Sequence, residues 1–148
     1  MIRHLWSVLC TSSAIDRDTN KLSLFEVAEQ MTLLEPFSEP GLLPVNLHLV
    51  TLWSRENIEL PEKATVRVRL ITPAGDYAGN ANEYQVDLTT FHRLRQRLVF
   101  RMFPLQAIGV HEFQIEVRDD ADQWREVAKV PLEINVKLVD GGQSGTVQ

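Results

Sequence analysis

Three stretches in the second half of the chain repeat with a period of two residues. Over Ala64–Thr72, Val66, Val68 and Leu70 alternate with Thr65, Arg67 and Arg69. Over His111–Arg118, Phe113, Ile115 and Val117 alternate with Glu112, Gln114 and Glu116. Over Trp124–Leu138, Ala128, Val130, Leu132, Ile134, Val136 and Leu138 alternate with Lys129, Pro131, Glu133, Asn135 and Lys137. Successive side chains of a strand leave opposite faces, so each apolar set falls on one side; a helical repeat would scatter it. The pattern commits these segments to half-buried antiparallel β structure.

Other segments agree. Tyr84, Val86 and Leu88 alternate over Glu83–Thr89, and Leu98, Phe100 and Met102 alternate with Arg97, Val99 and Arg101. Val45–Trp53 carries apolar residues on both parities, as do Leu5–Cys10 and Leu22–Val27, which suits central strands covered on both faces. A single helical turn over Phe91–Leu98 competes with a strand, because Phe91, Leu94 and Leu98 follow helical spacing after Thr89 and Thr90. Turn residues punctuate Ile15–Asn20, Glu35–Pro44, Thr72–Ala81, Pro104–Gly109 and Asp119–Gln123. About eight strands between turn signals predict an all-β fold, an antiparallel β-sandwich of immunoglobulin-like or related Greek-key type. Pro131 lacks a donor, so its strand is expected to lie at an edge or break at a bulge there. The domain is expected to span 1–139, with a flexible Gly-rich tail over 140–148.

The chain has 148 residues, 44% of them hydrophobic, enough for one domain with its own core. Fifteen Lys and Arg against twenty Asp and Glu leave a net charge of −5, which argues against general nucleic-acid binding. Cys10 stands alone, so no intramolecular disulfide or Cys-rich zinc site can form. The apolar stretch Leu5–Cys10 is six residues long and interrupted by Ser7, short of the ~7–15 of a secretory signal core. Leu9 also stands where a small residue precedes a lipidated cysteine. No apolar run approaches the ~20 residues of a membrane span. A first β-strand in a cytoplasmic protein is the expectation.

The run Asp16-Arg17-Asp18-Thr19-Asn20-Lys21-Leu22-Ser23-Leu24-Phe25 and the later Gly109-Val110-His111-Glu112-Phe113-Gln114-Ile115-Glu116-Val117 carry a resemblance. They resemble a bacterial domain-of-unknown-function family of small all-β sandwich proteins. Its members open with a strand and an Asp…Thr-x-x-Leu-Ser-Leu-Phe hairpin, and later show Gly-x-[His/Tyr]-x-Phe-x-[Ile/Leu]-x-Val. The likeness spans most of residues 1–138, but its motifs are turn and core positions. It therefore implies a fold and no catalytic, cofactor or ligand residues. His111 departs from the aromatic residue commoner at its position, which reads as a packing variation.

Candidate chemistry is sparse. Ser7, Ser12, Ser13 and Cys10 are the nucleophiles near the first strand, and the histidines are His4, His48, His92 and His111. No nucleophile elbow, phosphate loop or His-Glu-x-x-His segment is present, so no catalytic residue is assigned. His4 and Cys10 share a strand face but sit ~20 Å apart, too far for one metal. Asp16-x-Asp18-x-Asn20 opens like a calcium loop, yet Lys21 replaces the glycine and Val27 the bidentate glutamate. In an up-and-down chain, the loops 16–20, 55–63, 91–95 and 119–123 would share one end. That would gather Asp16 and Asp18 with Asp119, Asp120 and Asp122 as weak metal ligands. Neither a metal nor a cofactor is expected.

Arg93, Arg95, Arg97 and Arg101 share a parity and are the weak candidates for a binding stripe, with Arg67, Arg69 and Arg118 nearby. The competing expectation is that they form cross-strand pairs with Glu83, Glu112, Glu116 and Glu133. The sequence is thus read as a non-catalytic binding or assembly module of a bacterial cytoplasm, with a protein partner or self-association, no membrane and nucleic acid disfavoured. A small-ligand or enzyme site at one end of the sandwich, or nucleic-acid binding through the Arg-rich strand, is the alternative.

Overall fold

The computed structural model describes residues 1–34, 40–118 and 122–137. Nine strands follow in order: β1 (Ile2–Ile15), β2 (Leu22–Val27), β3 (Gln30–Leu33), β4 (Gly41–Arg55), β5 (Glu62–Ile71), β6 (Tyr77–Leu88), β7 (Arg93–Leu105), β8 (Gly109–Arg118) and β9 (Trp124–Val136). They form a β-sandwich. Sheet A runs β2-β1-β4-β7 and sheet B runs β3-β9-β8-β5-β6. Among the described residues there is no helix, and none is long and apolar enough to cross a membrane.

The alternating sets meet as expected. Leu9, Leu47, Leu49, Trp53 and Phe103 of sheet A pack on Val66, Val68, Val86, Phe113, Ile115, Leu132 and Ile134 of sheet B. Burial of such side chains stabilises by roughly 1.5–3 kcal/mol each, which is why the inward parity is almost purely aliphatic and aromatic.

Four expectations are corrected. β3 is a ninth strand and pairs parallel to β9, Gln30 opposite Glu133, so sheet B is mixed rather than antiparallel. Four residues with only Met31 and Leu33 to alternate are too few to show a period. Phe91–Leu98 forms no helical turn: β7 begins at Arg93, because strand pairing with β4 from Ser54 onward outweighs the local spacing. β2 is an edge strand, with Phe25 50% and Val27 55% exposed, whereas β1 does lie inside its sheet.

The fourth correction concerns the loops. The β4–β5 and β6–β7 connections share an end: Arg55 donates to the carbonyls of Leu88 (2.7 Å), Ile58 (2.8 Å) and Thr89 (3.0 Å). The 16–20 turn does not join them. The extra strand β3 between β2 and β4 adds one reversal of the chain, which shifts the up-and-down order. The β1–β2 hairpin leans across the outer face of sheet A, where Asn20 meets Arg95 of β7. That cover explains why Val50 is buried although its parity points away from the core.

β9 is an inner strand of sheet B rather than an edge, but β3 covers only Glu133–Val136, so Pro131 meets an edge locally. Glu133 donates its N–H to the Glu29 carbonyl (3.0 Å) beside β3. Two residues earlier the same flank of β9 has no strand against it among the described residues, so a missing N–H costs nothing. The tail 140–148 lies outside the described residues.

Candidate functional site

His4 and Ser7 are three residues apart and would face opposite sides of a regular strand. A register shift between His4 and Trp6 brings them together, with His4 Nε2 2.8 Å from Ser7 Oγ. The serine in turn bonds Thr51 Oγ1 at 2.7 Å. Burial lowers the His4 imidazole pKa, and its ring stands edge-on to Trp53 at 5.5 Å. The separation suits a nucleophile and base, and a cavity of about 400 Å³ lined by Arg3, His4, Glu56, Arg125 and Glu126 lies alongside. Yet Ser7 is not among the cavity walls, and its second partner Thr51 is buried. The arrangement is a polar chain linking β1 to β4.

Cys10 faces His48 across β1 and β4 rather than His4. Burial raises the thiol pKa, so it stays protonated and a poor nucleophile. Burial, then the charges of Arg97 and Arg101, lowers the pKa of His48. His111 is buried against Phe103, bonds the Gly109 carbonyl through Nδ1 at 3.2 Å, and leaves Nε2 without a partner among the described residues. His92 is exposed in the β6–β7 connection, and Ser12 and Ser13 lie on the leaning hairpin.

The weak metal candidates separate. Asp16 Oδ1 accepts the backbone N–H groups of Asp18 (2.8 Å) and Thr19 (2.9 Å), which depresses its pKa and explains an aspartate there as turn chemistry. Asp18 lies in the same turn. Asp122 sits beyond the sandwich core before β9, 3.7 Å from Arg118. Asp119 and Asp120 lie outside the described residues. Among the described residues no group of three His, Cys, Asp or Glu is placed to hold an ion.

The arginines of β7 do not make the expected cross-strand pairs. Arg93, Arg95 and Arg97 lie opposite Ser54, Leu52 and Val50 of β4, on the outer face of sheet A. Glu83, Glu112, Glu116 and Glu133 all belong to sheet B, so the expected cross-strand pairs do not form. For the same reason Arg67, Arg69 and Arg118 cannot extend the stripe. Arg95 donates to the Asn20 carbonyl (2.7 Å) and Oδ1 (3.3 Å), and Arg101 donates to Asn46 Oδ1 (2.8 Å). Arg93 and Arg97 make no hydrogen bond or ion pair among the described residues. Four guanidinium charges therefore stand on one strand without a carboxylate among the described residues.

Beside that strand is a feature the sequence did not disclose. The β5–β6 register slips between Val68↔Asn82 and Leu70↔Ala78, so Gly79–Ala81 bulge out of β6. Gly79 takes φ +71°, and a Cβ there would stand 3.3 Å from Pro104 of β7. The bulge opens a cleft of about 330 Å³ between the two edge strands. Val68, Leu70, Ala78, Phe100, Phe103 and Phe113 form its apolar wall, with Asn80, Asn82 and Arg101 at the rim. The small polar run Gly79-Asn80-Ala81-Asn82 inside a strand was the available signal. No protein-family model and no curated protein matches the chain.

Proposed function

We propose that the protein is a non-catalytic binding or assembly module of a bacterial cytoplasm, with a protein as its partner and the β7 side of sheet A as its binding face. The observation that carries this reading is the run of four arginines with no carboxylate against them among the described residues. Uncompensated like charges on neighbouring positions repel, and a surface that keeps them is complementary to an acidic partner. The test is recovery of partners from the source cell on the wild-type protein and on an Arg93→Glu/Arg97→Glu variant. A protein held by the first and lost from the second is the expected result.

Nucleic acid is the second reading, favoured by those same arginines and opposed by the net charge of −5. It requires binding to oligonucleotide near 50 mM salt that falls steeply by about 200 mM. We expect none.

A further inference from the structure

β7 closes sheet A, so among the described residues its second backbone edge has no strand beside it. Over Val99–Pro104 that flank borders the apolar cleft, whose other side is lined by the β6 bulge. A free edge is a template for another strand. Two features of this edge select what can use it. Outward positions 93, 95, 97 and 101 carry arginine, and like charges directly opposite one another destabilise a pair. A second copy of β7 laid antiparallel would set arginine against arginine, so the edge refuses self-pairing. An acidic side chain at every second position would meet those arginines across the ladder. The alternate positions of that same strand would point inward, toward Phe100, Phe103 and Phe113 in the cleft.

We infer that β7 receives an extended segment of a partner protein as a fifth strand of sheet A, with acidic residues alternating with apolar ones. The inference rests on the binding reading above and names its partner chemistry. Acid and apolar group are required together: the acids answer the four charges and the apolar side chains fill about 330 Å³ that the sandwich leaves open.

The probe is a ten-residue peptide of alternating Glu and Val, measured on the whole protein with amide hydrogen exchange and chemical shifts. We expect saturable binding, with slowed exchange confined to β7. N-methylation of alternate peptide amides keeps charge and side chains but removes strand pairing, and is expected to weaken binding by about tenfold or more. Arg93→Glu/Arg97→Glu, at exposed positions without partners, is expected to lose the Glu-Val peptide by a similar factor and gain a Lys-Val one. Binding indifferent to N-methylation, protection elsewhere than β7, or equal binding of an oligothymidylate would overturn the inference. If the charge-reversed variant loses a cellular protein partner while the peptide leaves β7 unprotected, strand addition fails and the binding reading stands. If neither the partner nor the peptide is held, both fail.

Discussion

Arginines stand at alternate positions on both outer faces of this sandwich, and the two faces treat them differently. On sheet B, Arg67 and Arg69 converge on one buried carboxylate: Glu116 Oε1 lies 3.0 Å and 2.7 Å from their terminal nitrogens. Arg67 also stacks over Trp124 at 4.1 Å, and Arg69 over Tyr77 at 3.8 Å. On sheet A, the arginines of β7 meet serine, leucine and valine from β4 and amide oxygens from Asn20 and Asn46. The same residue type at the same spacing is structural on one face and unspent on the other. What differs is the neighbouring strand, and with it whether the charge is compensated within the fold.

The comparison breaks most visibly at Glu116. Its replacement by Ala strands two half-buried cations, so urea unfolding is expected to show a loss of about 3 kcal/mol. A loss below about 1 kcal/mol would mean that the aromatic rings, not the carboxylate, hold the arginines. Next, Arg67→Gln is expected to cost about 1–2 kcal/mol, whereas Arg93→Gln with Arg97→Gln should stay within about 0.5 kcal/mol in the same measurement. Comparable losses from both would erase the distinction.

Acidity sharpens it further. His4, His48 and His111 all have their pKa lowered by burial. As pH falls, the unfolded chain takes up protons first, from about 6.5. Stability is therefore complete above that value and lost as pH drops through each depressed folded pKa. The urea midpoint should be lower at pH 5.5 than at pH 7.5. Arg97→Gln with Arg101→Gln should raise the His48 pKa toward its ordinary value, followed by NMR titration, and Arg67→Gln should leave it unmoved. The smallest effect is expected from salt. Screening β7 repulsion with 0.5 M NaCl should stabilise the wild type by a few tenths of a kcal/mol, and the Arg93→Gln/Arg97→Gln variant by less.

Much of this architecture was legible in the residues. The alternation of Val66-Val68-Leu70 and Phe113-Ile115-Val117 marks the inward face of sheet B because period two is a local property of one strand. Which strands become neighbours is not local. The arginines of β7 and the glutamates of β8 have compatible parities, and only the assignment of β7 to sheet A separates them. The apolar outward positions of β4 read as a central strand, but nothing in Val50 or Leu52 says that the β1–β2 hairpin leans over them. The acids of the 16–20 turn were grouped with distant loops because a four-residue strand, β3, shifted the order of connections. The cleft depends on a bulge in β6 and a close approach to Pro104, neither visible to periodicity.

That four-residue strand also sets when the molecule can be finished. Gln30–Leu33 has its ladder with Glu133–Val136, a hundred residues further along the chain. During synthesis, sheet A can assemble once β7 has emerged, while sheet B waits for β9 between β3 and β8. Closing so long a loop is entropically slow. The nascent protein would then spend an interval with one sheet formed and its apolar inner face, Leu47, Leu49 and Trp53 included, only partly covered. Completion of this fold is timed by its last strand.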